Sequence, residues 1–199
     1  KDTWGTGDGA DQFDGGDDED WVDYSVITDD VNATTFGIQV TLNGSSNVNV
    51  TVNGQIGFDR LKNVEHIIGT ADKDSIVGDA KDNSLVGNAG NDILIGAGGS
   101  DVLVGGDGDD TLTGDVGNDI LYGGNLVNGV HTDSGNDTVD YSGALETLTI
   151  DLDISLAGGI DESGNPTHGK SIGSQSTQGQ GIDELYGIEN ITGSNTMGD

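Results

Sequence analysis

From Gly69 to Tyr122 the chain reads GTADKDSIV, GDAKDNSLV, GNAGNDILI, GAGGSDVLV, GGDGDDTLT and GDVGNDILY, six nine-residue units with no gap between them. Every unit opens on Gly. Asp stands at the sixth place in five of them (Asp74, Asp92, Asp101, Asp110, Asp119), and Asn83 takes that place in the other. The eighth place is always Ile or Leu: Ile76, Leu85, Leu94, Leu103, Leu112, Leu121. One such unit has almost no core of its own, so the period makes sense only if units stack and share one.

The chemistry of a unit follows from its residue types. Gly enters positive-φ backbone at little steric cost, so a Gly-rich loop can turn sharply and point carbonyl oxygens inward. Asp adds a hard carboxylate oxygen. Two loops side by side offer oxygens in the number that suits Ca²⁺, roughly 6–8 ligands; Mg²⁺, which demands a small octahedron, fits less well. The last three residues of each unit form a short strand whose middle side chain points inward, because alternate strand residues face opposite sides. If consecutive units form opposite sides of the stack, loops two units apart are neighbours. The expected pairs are Asp74 with Asp92, Asp92 with Asp110, Asn83 with Asp101, and Asp101 with Asp119. Asn83 brings one neutral oxygen, so its site should be the weakest of the block, and Asn83→Asp should lower the calcium midpoint for folding.

The pattern resembles the GGxGxDxUx nonapeptide of RTX (repeats-in-toxin) proteins. That resemblance implies an all-β chain, a calcium-binding parallel β-roll (a nonapeptide solenoid) with further β-strand segments between arrays. The same register flanks the central block. TGDGADQFD and GGDDEDWVD put Asp11 and Asp20 at the sixth place with Phe13 and Val22 inward. Beyond Gly123-Gly124 the unit resumes at Gly135-Asn136-Asp137-Thr138-Val139, so residues 125–134 form an insertion that should loop out and leave Asp137 beside Asp110. The expected metal residues are therefore Asp11, Asp20, Asp74, Asn83, Asp92, Asp101, Asp110, Asp119 and Asp137, with several Ca²⁺ ions as the only cofactor.

A longer repeat encloses the short one. Trp21-Val22-Asp23-Tyr24-Ser25 matches Thr138-Val139-Asp140-Tyr141-Ser142, the alternating strand at 38–42 matches 148–152, and the phrase 58–69 matches 182–193. The expected organisation is the end of an array at 1–25, an inter-array β segment packing on the roll at 26–68, the central roll at 69–142, a second inter-array segment at 143–192, and the start of a further array at 193–199. Residues 43–57 and 153–181 read as surface loops, the second carrying Pro166, with hairpin turns at Asn43-Gly44 and Asn53-Gly54. The outward places of alternate units, Val102, Val104, Ile120 and Tyr122, form an apolar patch. A cover from residues 36–42 or 148–152 is expected, with self-association as the competing explanation.

Composition narrows the functions. A formal net charge of −30, with only 6 Lys and Arg, leaves no means of neutralising phosphates, so nucleic acid is excluded as a partner, and anionic membrane surfaces with it. No apolar run is long enough for membrane insertion by a helix. There is no Cys for disulfides or thiolate sites. His66, His131 and His168 share no ligand spacing, no HExxH or GxSxG occurs, and acid pairs such as Asp109-Asp110 are explained by the period rather than by glycosidase chemistry. The third loop places (Ala71, Ala80, Ala89, Gly98, Asp107, Val116) lack the Thr file of an ice-binding roll. Low hydrophobicity with high charge is also the composition of disorder. The metal-free chain is accordingly expected to be unfolded, with calcium binding and folding a single event.

The resemblance implies a non-enzymatic, monomeric piece of a large extracellular bacterial adhesin or surface-associated exoprotein exported by type I secretion, with a cell-surface or glycan ligand as a further partner. The alternatives are an accessory repeat region of a secreted enzyme (protease, lipase or alginate epimerase) and a carbohydrate-binding module built on the loops at 43–57 and 153–181.

Overall fold

The computed structural model describes residues 3–5, 10–27, 37–52, 58–127, 130–132, 135–143, 149–151, 170–172 and 181–193. The expected turn at Asn53-Gly54, the Pro166 loop and most of the expected array start at 193–199 lie outside the described residues.

All regular structure described is strand. β1 (Thr3–Gly5), β2 (Gln12–Asp14) and β3 (Trp21–Asp23) are followed by β4 (Ile38–Thr41), β5 (Val48–Val52), β6 (Asp59–Lys62) and β7 (His66–Ile68). The six nonapeptides then give one strand each: β8 (Ser75–Val77), β9 (Ser84–Ala89), β10 (Ile93–Gly98), β11 (Val102–Asp107), β12 (Thr111–Val116) and β13 (Ile120–Tyr122). After them come β14 (Asn125–Val127), β15 (Val130–Thr132), β16 (Thr138–Asp140), β17 (Thr149–Asp151), β18 (Lys170–Ile172), β19 (Glu184–Tyr186) and β20 (Asn190–Thr192).

Consecutive units alternate between two nine-stranded sheets, ordered β1-β3-β7-β9-β11-β13-β19-β18-β17 and β2-β6-β5-β4-β8-β10-β12-β16-β20. Pairing along the nonapeptides is parallel and in strict register, Leu85 beside Leu103 beside Leu121 in one sheet and Ile76 beside Leu94 beside Leu112 in the other. These six side chains are fully buried between the sheets, and Val22, Ile67, Val139 and Leu185 continue the two files. Burying each Leu is worth about 1.5–3 kcal/mol, and register is what secures it, since a slip of one residue would turn every inward side chain outward. The result is an open parallel β-roll.

The inter-array strands are rungs of the same roll. β4 pairs in parallel with β8, and β4 and β5 form an antiparallel hairpin whose turn passes through Asn43-Gly44, with Gly44 at φ 48°. The insertion at 125–134 carries the antiparallel pair β14–β15, after which β16 rejoins β12. Among the described residues the expected cover over Val102, Val104, Ile120 and Tyr122 does not form. β4 extends the opposite sheet edge-on, and β17 sits at the end of a sheet through β18. The reason is that a short strand gains more from an open sheet edge, which satisfies its main-chain N–H and C=O groups, than from lying across a sheet face. The four side chains stay half-buried against their neighbours along the ladder, and Tyr122 stacks on Tyr186 with ring centroids 4.9 Å apart.

Candidate metal centre

The loops fall into two classes. In the four units that start at Gly87, Gly96, Gly105 and Gly114, the second and fourth places both have positive φ: Asn88 (81°) and Gly90 (115°), Ala97 (77°) and Gly99 (119°), Gly106 (121°) and Gly108 (131°), Asp115 (66°) and Gly117 (150°). Such a loop turns its carbonyls inward at a cost, since a left-handed conformation disfavours residues with a Cβ by about 1–2 kcal/mol. The units that start at Gly69 and Gly78 place Thr70, Asp72, Asp79 and Lys81 at those positions, and none of these four has positive φ.

The sixth-place side chains form two files, one at each side of the roll. In one, the amide of Asp74 donates to Asp92 Oδ1 (2.7 Å), Asp92 to Asp110 (2.7 Å) and Asp110 to Asp137 (2.8 Å). In the other, Asn83 donates to Asp101 (2.8 Å) and Asp101 to Asp119 (2.9 Å). These are the five pairs that the spacing predicts, including the one that crosses the insertion. Asp20 is buried and its amide donates to Glu65 Oε2 (3.2 Å), while half-exposed Asp11 donates its amide to Asp59 Oδ1 (2.9 Å).

Only one oxygen of each central carboxylate is used in this way. Oδ2 of Asp92, Asp101, Asp110 and Asp119 is buried and accepts no hydrogen bond. Burial raises the carboxyl pKa of Asp92 to about 8, and that of Asp101, Asp110 and Asp119 to about 7, with neighbouring acids adding to the shift. A buried anionic oxygen with no donor is costly unless a cation meets it. Those of Asp92, Asp101 and Asp110 face a further oxygen: a Cβ on Gly87 would lie under 3.0 Å from both Asp92 Oδ2 and the Gly105 carbonyl, one on Gly96 from Asp101 Oδ2 and the Gly114 carbonyl, and one on Gly105 from Asp110 Oδ2 and the Gly123 carbonyl. Among the described residues no three His, Cys, Asp or Glu side chains cluster to hold a metal by themselves, so main-chain carbonyls must supply much of the coordination. Hard oxygens of both kinds on stacked loops fit calcium.

Four members of the files escaped the sequence reading: Asp59, Glu65, Asp183 and Glu189. The amide of Asp119 donates to Asp183 Oδ1 (3.1 Å) and that of Asp137 to Glu189 Oε2 (2.8 Å). The signal was present in the matched phrases, where Asp59-x-Leu61, Glu65-x-Ile67, Asp183-x-Leu185 and Glu189-x-Ile191 repeat the acid-x-aliphatic end of a nonapeptide, with Gly57 and Gly181 two places before Asp59 and Asp183.

A two-sided parallel roll with one carboxylate per Gly-rich loop defines a class of calcium-dependent solenoids. The family model for the RTX calcium-binding nonapeptide repeat (4 copies) matches residues 68–103 and 95–126, so the central block is built of RTX nonapeptide repeats, which bind several Ca²⁺ ions. No curated protein gives a match to the chain. The repeat is a structural calcium-binding motif rather than a catalytic one.

Proposed function

We propose that this chain is a non-catalytic segment of a large extracellular RTX adhesin or exoprotein, whose folding is switched on by calcium after export by the type I route. One observation carries the reading: four buried carboxylate oxygens in successive loops have no protein donor. Each Ca²⁺ bound there removes two units of negative charge from a chain that carries −30. Where calcium is scarce, as in the cytosol, the chain stays unfolded. Outside the cell, calcium reaches the range of weak extracellular sites, Kd about 10⁻⁴–10⁻³ M. The test is circular dichroism during a calcium titration, repeated with magnesium. A cooperative gain of β signal with calcium alone is expected, and equal folding in chelator would overturn the reading.

The carbohydrate alternative also has an observation in its favour. An open groove of about 540 Å³ beside the β4–β5 turn is lined by Gln12, Asp14, Ser45, Asn47, Arg60 and Lys62, and Arg60 is the only Arg of the chain. A glycan array is the test, with Arg60→Gln expected to abolish any binding that the groove supports.

A further inference from the structure

The rungs next to the four open carboxylates are filled by the protein itself. Asp74 Oδ2 accepts the Thr70 amide (2.6 Å), and its Oδ1 accepts the Ile38 amide (2.7 Å) and the Thr70 hydroxyl (3.0 Å). Asn83 accepts the Asp79 amide (2.8 Å) and gives its own Nδ2–H to the Glu65 carbonyl (2.9 Å). Glu65 Oε1 pairs with the Lys81 ammonium at 2.5 Å. At the outer rungs the Tyr24 hydroxyl donates to Asp59 Oδ2 (3.2 Å) and the Tyr141 hydroxyl to Asp183 Oδ2 (2.8 Å). Both tyrosines belong to the matched Asp-Tyr-Ser phrase, and both are buried, so the same device occurs twice, independently, in one chain.

Loop geometry sets the units of Asp74 and Asn83 apart in the same way. Positive φ at the second and fourth places occurs in the units that hold the open carboxylates and not in those of Asp74 and Asn83. The loop before Glu65 holds no glycine, whereas Gly179 and Gly181 precede Asp183 and Gly181 has φ 72°, so at that rung it is the Tyr141 hydroxyl that occupies the acid. Without inward-turned carbonyls a rung cannot complete the ligand set of a calcium ion. It can still continue the ladder if a hydroxyl, amide or ammonium meets its acid.

We propose that Tyr24, Thr70, Lys81 and Tyr141 stand in for calcium at Asp59, Asp74, Glu65 and Asp183, so that within residues 58–122 and at the Asp183 rung ions are held only by the loops of the four units Gly87–Tyr122, bounded by metal-independent rungs. The proposal rests on the calcium reading and refines it. It also removes Asp74 and Asn83 from the expected ligand set while keeping them as rungs.

The test counts ions bound to the 199-residue chain by equilibrium dialysis at saturating calcium, together with the folding midpoint from circular dichroism. Asp74→Asn and Asp183→Asn should bind as many ions as the wild type, with midpoints within about twofold of it. Asp92→Asn and Asp101→Asn should each bind at least one ion fewer, with the midpoint raised about tenfold or more, since ligand charge sets calcium affinity. Tyr141→Phe, which alters no carboxylate, should keep the ion count and raise the midpoint. An ion lost from Asp74→Asn, Asp183→Asn or Tyr141→Phe, or none lost from Asp92→Asn and Asp101→Asn, overturns the assignment. A wild-type chain that binds no calcium is a different failure, because it removes the calcium reading itself.

Discussion

The open oxygens of Asp92, Asp101, Asp110 and Asp119 make the metal-free roll a creature of acid. Their pKa values in the folded chain, about 7 to 8, lie above the ordinary 3.8. For groups raised in this way, stability is complete below 3.8, where folded and unfolded chains are both protonated, and is lost as pH rises through the folded values. In chelator, β signal should therefore grow on acidification from pH 8 towards pH 4; a fold that weakens over that range contradicts the burial of these groups. Calcium must displace the protons, so binding near pH 7 should release them, measurable as buffer-dependent heat in calorimetry. Asn83 illustrates what a position in a period cannot disclose. Its neutral oxygen implies a weak site that Asp would improve, but the Nδ2–H bond to the Glu65 carbonyl reverses the expectation. Asn83→Asp would set a buried carboxylate oxygen against that carbonyl, at a cost of about 1–3 kcal/mol. The calcium midpoint should rise about fivefold or more, and a lower midpoint would restore the sequence-based view.

At the scale of the element, loop and strand of one unit can be tested separately. Ala97 holds φ 77°, so Ala97→Gly should stabilise the folded chain by about 1 kcal/mol in thermal melts with calcium present. Gly87→Ala makes the opposite test. Its Cβ would meet Asp92 Oδ2 and the Gly105 carbonyl, so the calcium response should be largely lost. Leu103→Ala removes a fully buried rung between Leu85 and Leu121, and about 2–5 kcal/mol is expected from urea denaturation in calcium. The strands, their register and the five pairs of neighbouring sixth-place residues were legible because a nine-residue period fixes all three together. The partition of loops was less so, although Asp72 and Lys81 stand at the fourth place, where the other four units have glycine, and mark the two units that differ. The tyrosine partners of Asp59 and Asp183 were hidden because they lie 35 and 42 residues away, a pairing that only the folded ladder creates. The cover expected over Val102 and Tyr122 is not formed by the described residues for a related reason. Periodicity says which side chains face outward, but not whether a neighbouring strand takes the edge of the sheet or its face.

For the whole molecule, charge and core work against each other until metal arrives, and unfolding should be steeply dependent on calcium activity. The files of carboxylates also give the roll a direction. Along each file the amide of the earlier residue grips the carboxylate of the later one: Asp74 grips Asp92, Asp92 grips Asp110, Asn83 grips Asp101, and Asp101 grips Asp119. Mechanically the roll is a row of hooks that all face the same way. A chain that emerges from a pore with its C-terminal end leading presents each new hook to an eye already in place; with the N-terminal end leading, every hook waits for an eye still inside. Assembly through a narrow opening should then be faster in the first orientation than in the second. Translocation of the chain through a nanopore from either end, into calcium, would measure that difference as unequal pulling forces on the trailing chain.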